Sequence, residues 1–174
     1  MEDTIIDYIT GREVSDAGAE GSRQLFEKIL VEKKGYAKGD IRVDEPITVM
    51  FQKEEYVSSI DLVVFLEDKA FMAIKCIAGS LGSYEREILA GARLLYDYQI
   101  PFSVSTNGKD ALIRNAVTGK NHGQGIGAIP SKKEAMTMVL EYPLFPKEKK
   151  EREMILFRSY NLDKNHEECG KSAL

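Results

Sequence analysis

Between Ser59 and Ser83 the chain reads SIDLVVFLEDKAFMAIKCIAGSLGS, and no other stretch limits the fold as tightly. Leu62 to Leu66 is a continuous apolar run, as in a strand covered on both faces. Glu67-Asp68-Lys69 turns the chain, and Phe71 to Ala78 returns through the core. The expected unit is two adjacent strands of one buried sheet. Asp61 opens the first strand and Lys75 sits inside the second. A charge within a buried strand is costly unless it is paired, neutralised or bound to a metal. What Asp61 and Lys75 do together is therefore the central question that the sequence poses.

The surrounding sequence supplies a frame for these strands. Residues 1–19 mix short apolar pieces with a Gly/Ser/Asp/Ala stretch and read as an N-terminal arm. From Glu20 to Lys33 the residues Leu25, Phe26, Ile29 and Leu30 recur at helical spacing, with Glu20, Arg23 and Glu27 off that stripe and Gly35 as the C-terminal cap. Ile41–Val43 and Ile47–Phe51 alternate around Asp44-Glu45-Pro46, which suits an antiparallel strand or a bent pair, and Lys53 to Tyr56 reads as a turn. Ser83 is placed to cap a helix from Tyr84 to Tyr98, on which small Gly91 and Ala92 allow close packing against a sheet. FSVST after Pro101 is a strand ending at the turn Asn107-Gly108, and Ala111 to Ile113 is a short strand. Thr118 to Gly127 reads as a glycine-rich loop. Ser131 and Glu134 form a capping box for a helix through Leu140, and Lys147 to Tyr160 reads as a last helix. A long helix between the Phe71 and Phe102 strands implies a crossover joining parallel neighbours. The expectation is an α/β fold with a mixed β-sheet flanked by helices. It has one domain over 20–160, and a polar, fraying tail over 161–174.

Composition bounds the function. A chain of 174 residues builds a core without staples, and 43% hydrophobic with 30% charged residues is that of an ordinary globular protein. No apolar run reaches the roughly 20 residues of a membrane helix, and MEDTIIDYIT lacks a signal-peptide pattern, so a cytoplasmic protein without membrane association is expected. Cys76 and Cys169 are too far apart for metal spacing and read as free thiols. The net charge of −4 excludes a chain that is basic throughout but not a local basic patch. Basic residues cluster at Lys33-Lys34, Lys132-Lys133 and, with mixed sign, from Lys147 to Arg152.

The pieces EGSRQLFEKILVEKKGY, SIDLVVF, AIKCIAGS, ARLLYDY, IPFSVSTNGKDA, VTGK and AIPSKKEA stand in an order and spacing that resemble the N-terminal nuclease domain of type I restriction enzyme R subunits. The resemblance implies the restriction-endonuclease-like sandwich of the PD-(D/E)xK nucleases. It also implies a Mg²⁺ site made of two acids on neighbouring strands, a lysine two residues beyond the second acid, and an acid on the first helix. Mg²⁺ demands oxygen ligands, activates a bound water and stabilises charge on a phosphate. By resemblance Asp61 is the first acid and Glu20 the helix acid. The second motif departs from the family. Where the family reads Glu-Cys-Lys, this chain has Lys75-Cys76-Ile77. A shifted register makes Lys75 the catalytic lysine, but Ala73 then replaces the acid.

An ammonium in place of a carboxylate repels a divalent cation and attracts Asp61. Two charges about 4 Å apart interact by roughly 4 kcal/mol at an effective dielectric near 20, before desolvation is subtracted. The first reading is a nuclease fold whose Asp61–Lys75 pair fills the vacated metal centre, with a role in binding DNA or restriction-system subunits. The second is a Mg²⁺-dependent endonuclease with a relocated acid, using Asp61, Glu20, Lys75 and either Glu85 or Glu87. The third is a homo-oligomeric structural protein using an apolar helix face and the N-terminal arm. His122 reads as an exposed loop residue, Tyr96 as packing, and Gly123, Gly125 and Gly127 as turns, since no Lys-Ser/Thr follows them. His166 and Cys169 have no second ligand pair for zinc.

Overall fold

The computed structural model describes residues 3–169 and, within the last helix, side chains as far as Asn161. A hairpin of β1 (Thr4–Ile6) and β2 (Glu13–Ser15) precedes α1 (Glu20–Lys28), which widens into a π-helical turn over Ile29–Lys33. Gly35 follows with φ +79°, as its capping role requires. The main sheet is built from β3 (Ile41–Phe51), β4 (Glu54–Leu66), β5 (Lys69–Cys76), β6 (Phe102–Thr106), β7 (Ala111–Asn115) and β8 (Asn121–Gln124), in that spatial order. Every neighbouring pair is antiparallel except β5 and β6, which run parallel with α2 (Glu85–Leu94) between them. This is the mixed, helix-flanked sheet expected from the sequence.

The sheet is covered on both faces, which explains the unbroken apolar run in β4. On one face Phe26, Leu30, Tyr36 and Ile129 pack with Leu62, Val64, Phe71 and Ile74. On the other, Ile88 and Ala92 of α2 and Phe157 of α4 (Lys147–Cys169) pack with Ile60, Val63 and Ala73. Gly91 lets α2 settle on the sheet, since a Cβ there would lie 2.7 Å from Ile60 Cδ1. Glu153 of α4 accepts from Arg86 and Arg93 of α2 at 2.7 Å each, which locks the two helices together.

The departures from expectation are local. The hairpin turn between β3 and β4 is only Gln52-Lys53, both at positive φ, so β4 begins at Glu54 inside the segment expected to turn. Ser83 does not cap α2. The Ser83 side is a short 3₁₀ turn over Leu81–Tyr84, and the helix ends at Leu94 rather than Tyr98. The expected glycine-rich loop contains β8, because the exposed edge of β7 pairs with Asn121–Gln124. The Ser131–Glu134 capping box forms as expected, but its helix α3 (Lys132–Ala135) lasts a single turn. Leu25 of the expected apolar stripe is 40% exposed, whereas Arg23 and Glu27 are buried, since the N-terminal hairpin side covers the face predicted to be polar. The last helix runs through much of the expected tail, to Cys169, and the side chains of His166 and Cys169 lie outside the described residues.

The end of α1 is tied to α3 by two bonds. The buried Tyr36 hydroxyl donates to the Pro130 carbonyl at 2.8 Å, and the Lys132 N–H donates to the Lys34 carbonyl at 2.8 Å. Tyr36→Phe leaves that carbonyl without its donor, and a buried bond of this kind contributes roughly 1–2 kcal/mol. Urea unfolding of Tyr36→Phe is expected to show that loss without a change in the slope against denaturant.

Candidate functional site

The two charges that marked the sequence stand where the sheet splits. Pairing of β4 with β5 stops at Leu62 opposite Ile74. One residue further on, Asp61 Oδ2 accepts a hydrogen bond from the Cys76 N–H at 2.8 Å. A carboxylate thus takes the place of a strand carbonyl. Cys76 is buried, and burial first and the Asp61 charge second raise its thiol far above the ordinary value, so it is an inert neutral group.

Beyond the end of β5 opens a cleft of about 820 Å³, lined by Lys75, Gly79, Ser80, Tyr84, Ser159 and Tyr160. Lys75 Nζ lies 3.8 Å from Glu87 Oε1, and the two side chains are only 12% and 4% exposed. The ammonium also stands 5.5 Å from the centre of the Tyr84 ring. Asn161 Nδ2 donates to the same Glu87 oxygen at 3.2 Å and to the Phe157 carbonyl at 2.7 Å. Ser58 Oγ in turn donates to Asn161 Oδ1 at 3.0 Å. Glu87 Oε2 is buried without a hydrogen-bond partner among the described residues. The ion pair expected between Lys75 and Asp61 is therefore seen between Lys75 and Glu87, on the first turn of α2, with Asp61 holding the adjacent backbone.

The other candidates are held elsewhere. Glu20 Oε1 accepts from Arg23 Nε at 2.9 Å and from Gln24 Nε2 at 2.8 Å, while its Oε2 is 2.8 Å from Arg23. Arg23 also reaches Asp44 at 2.9 Å and Asp7 at 3.8 Å. Burial opposes the Arg23 charge, but the bonds to Asp44 and Glu20 outweigh it and hold the guanidinium above its ordinary range. Asp44 can turn towards Arg23 because its backbone is in the left-handed region at φ 53°, opposite the break at Asp61. Glu85 accepts from Arg114 at 2.7 Å. Tyr96 donates to Glu45 at 3.1 Å and packs on Phe65, as expected of a packing residue. His122 is exposed, with its ring 4.7 Å from that of Phe102, but it lies in β8 rather than in a loop.

Asn161 and Tyr84 were not singled out from the sequence. A signal for Asn161 did exist, because Met154, Phe157 and Asn161 follow one another at helical spacings of three and four.

These donors do not suit Mg²⁺, which needs several oxygens in near-octahedral array. One Asp61 oxygen serves an amide, Glu87 faces an ammonium and an amide, and Glu20 is bound by a guanidinium. Among the described residues no group of three or more His, Cys, Asp or Glu gathers in a way that could hold a metal ion. No helix among them is long and apolar enough to cross a membrane.

From residue 18 to residue 130 the chain matches the family described as type I restriction enzyme R protein N terminus. No curated protein and no solved structure matches it. The matched span runs from α1 through β8 and holds Asp61, Lys75 and Glu87, more than half of the 174 residues. The chain belongs to the type I restriction enzyme R protein N terminus family.

Proposed function

We propose that this domain keeps the nuclease fold of its family as a non-catalytic module that binds DNA or restriction-system subunits. The observation that carries this reading is the Lys75–Glu87 pair at 3.8 Å, a fixed positive charge where the resemblance places a metal-binding acid. A divalent cation brought to that point meets an ammonium, and the nearest carboxylates already have partners. The cleft, with Ser80, Tyr84 and Ser159 on its wall, is open to a ligand, and this reading gives it no metal to activate water. The apolar face of α2 is spent inside the fold against Ile60 and Phe157, which leaves little for a purely structural oligomer built on that helix.

Incubation with supercoiled plasmid and Mg²⁺ or Mn²⁺ is expected to leave the DNA intact. Calorimetric titration with Mg²⁺ in the millimolar range is expected to give no saturable heat. Cleavage that vanishes in Asp61→Ala would sink this reading and favour the endonuclease with a relocated acid. Glu87 is then the acid to test, since its buried Oε2 has no hydrogen bond among the described residues.

A further inference from the structure

Two lysine pairs that are about a hundred residues apart in sequence meet on one surface. Lys33 and Lys34, at the end of the α1 helix, and Lys132 and Lys133, on α3, line a single groove of about 680 Å³. The Lys132–Lys34 backbone bond and the buried Tyr36–Pro130 bond fix the two walls, so the groove is preformed. Lys33 and Lys133 are exposed, and Lys132 places its ammonium 2.7 Å from Asp40. Lys34 acts on Glu134, whose carboxyl is held below its ordinary value mainly by the Ser131 bonds of the capping box. Lys33 also borders a second depression, where Lys28 and Lys109 stand with one acid, Glu32. The groove belongs to the face of the sheet covered by α1, whereas Lys75 and Glu87 belong to the face covered by α2.

We infer that this lysine groove grips the phosphate backbone of duplex DNA, at a surface separate from the degenerate cleft. The inference rests on the proposed binding role of the domain and names the surface that performs it. A chain with net charge −4 repels a polyanion as a whole, so a concave track of lysines is what permits approach. The groove lining has no aromatic ring on which an unpaired base could stack. Lysine ammoniums are point charges that read phosphate rather than base edges, so binding is independent of sequence.

The test is fluorescence anisotropy with a labelled 20-base-pair duplex, in EDTA so that metal and cleavage play no part. The wild type is expected to bind, with affinity falling roughly a hundredfold between 50 and 200 mM salt if about four phosphates are neutralised. Lys33→Glu/Lys133→Glu is expected to weaken binding at least tenfold and to reduce the salt slope by about two. Lys147→Glu/Lys150→Glu, which changes net charge equally on α4, is expected to bind like the wild type. Thermal melts of both variants check folding, and Lys33→Gln/Lys133→Gln gives the milder substitution. No binding by the wild type, equal losses in the two charge-reversal variants, or an unchanged groove variant overturns the inference. Plasmid cleavage tests the non-catalytic reading separately, so each can fail without the other.

Discussion

Glu27→Gln is expected to flatten the decline in stability that the wild type shows as pH rises from about 5 to 8. Glu27 is fully buried, and neither oxygen has a well-formed hydrogen bond among the described residues. Burial, and next the neighbouring Asp7 charge, push its carboxyl from 4.5 up to about 8. The folded protein therefore holds a proton that the unfolded chain has released. Stability from this proton is complete below pH 4.5 and is lost as pH climbs through about 8. The slope is at most about 1.4 kcal/mol per pH unit, amounting to a few kcal/mol across the window. Asp7 acts with the opposite sign. Burial raises its carboxyl, but bonds from the Thr10 backbone, Gln24 and Thr10 Oγ1 outweigh that and hold it below 3.8. Its contribution is present above that value and is lost as pH falls through the depressed one. Urea unfolding in steps of one pH unit from about pH 2 to 8 separates the two groups, since Asp7 acts below 3.8 and Glu27 above 4.5. The glutamine variant should lose the alkaline slope and keep the acid one. An identical alkaline slope in both proteins means that Glu27 is ionised when folded, and the assignment fails.

That buried carboxyl pair also marks how far the sequence could be read. The sheet was legible because Leu62–Leu66 is an unbroken apolar run and Phe71–Ala78 one interrupted by Lys75 alone, the two joined by a polar turn, and because a helix separates the parallel strands β5 and β6. The capping box of α3 was legible from Ser131 and Glu134 alone, since it is made within four residues. The covered face of α1 was not. Hydropathy put Leu25 inward and Arg23 and Glu27 outward, whereas the N-terminal hairpin brings Asp7 onto the polar side and buries it. Strand β8 was hidden for a related reason, because Asn-His-Gly-Gln has no strand propensity and pairs only because β7 offers it an edge. At the site, Asp61 and Lys75 could be picked out as buried charges, but not their partners. The partner of Asp61 is a backbone N–H, which every residue carries, and that of Lys75 arrives from a helix whose rotation is set by Gly91 against Ile60.

Lys75→Glu should be the most damaging single change in the cleft, and also the most informative. It replaces an attraction with two carboxylates facing each other in a nearly dry site beside Asn161. Breaking a buried pair costs roughly 3–5 kcal/mol, a fall in melting temperature on the order of 10 °C for a chain of this size. The loss in EDTA is expected to be partly reversed by Mn²⁺, because the new carboxylate with Glu87 offers the oxygen ligands that the wild type lacks. Metal at about a hundred times its dissociation constant returns roughly 2.7 kcal/mol. Lys75→Met removes the ammonium without supplying a ligand, so it should be destabilised and indifferent to Mn²⁺. The swap Lys75→Glu/Glu87→Lys rebuilds the pair with reversed polarity and should recover stability without metal. Adding Ile77→Lys to Lys75→Glu supplies a lysine on the same strand face as the new acid, since alternate residues share a face. Metal uptake by that double variant, measured calorimetrically, supports the register in which position 75 belongs to the acid. If neither glutamate variant responds to Mn²⁺ while the swap still recovers, the Lys75–Glu87 pair is a structural clasp and position 75 does not correspond to a metal site.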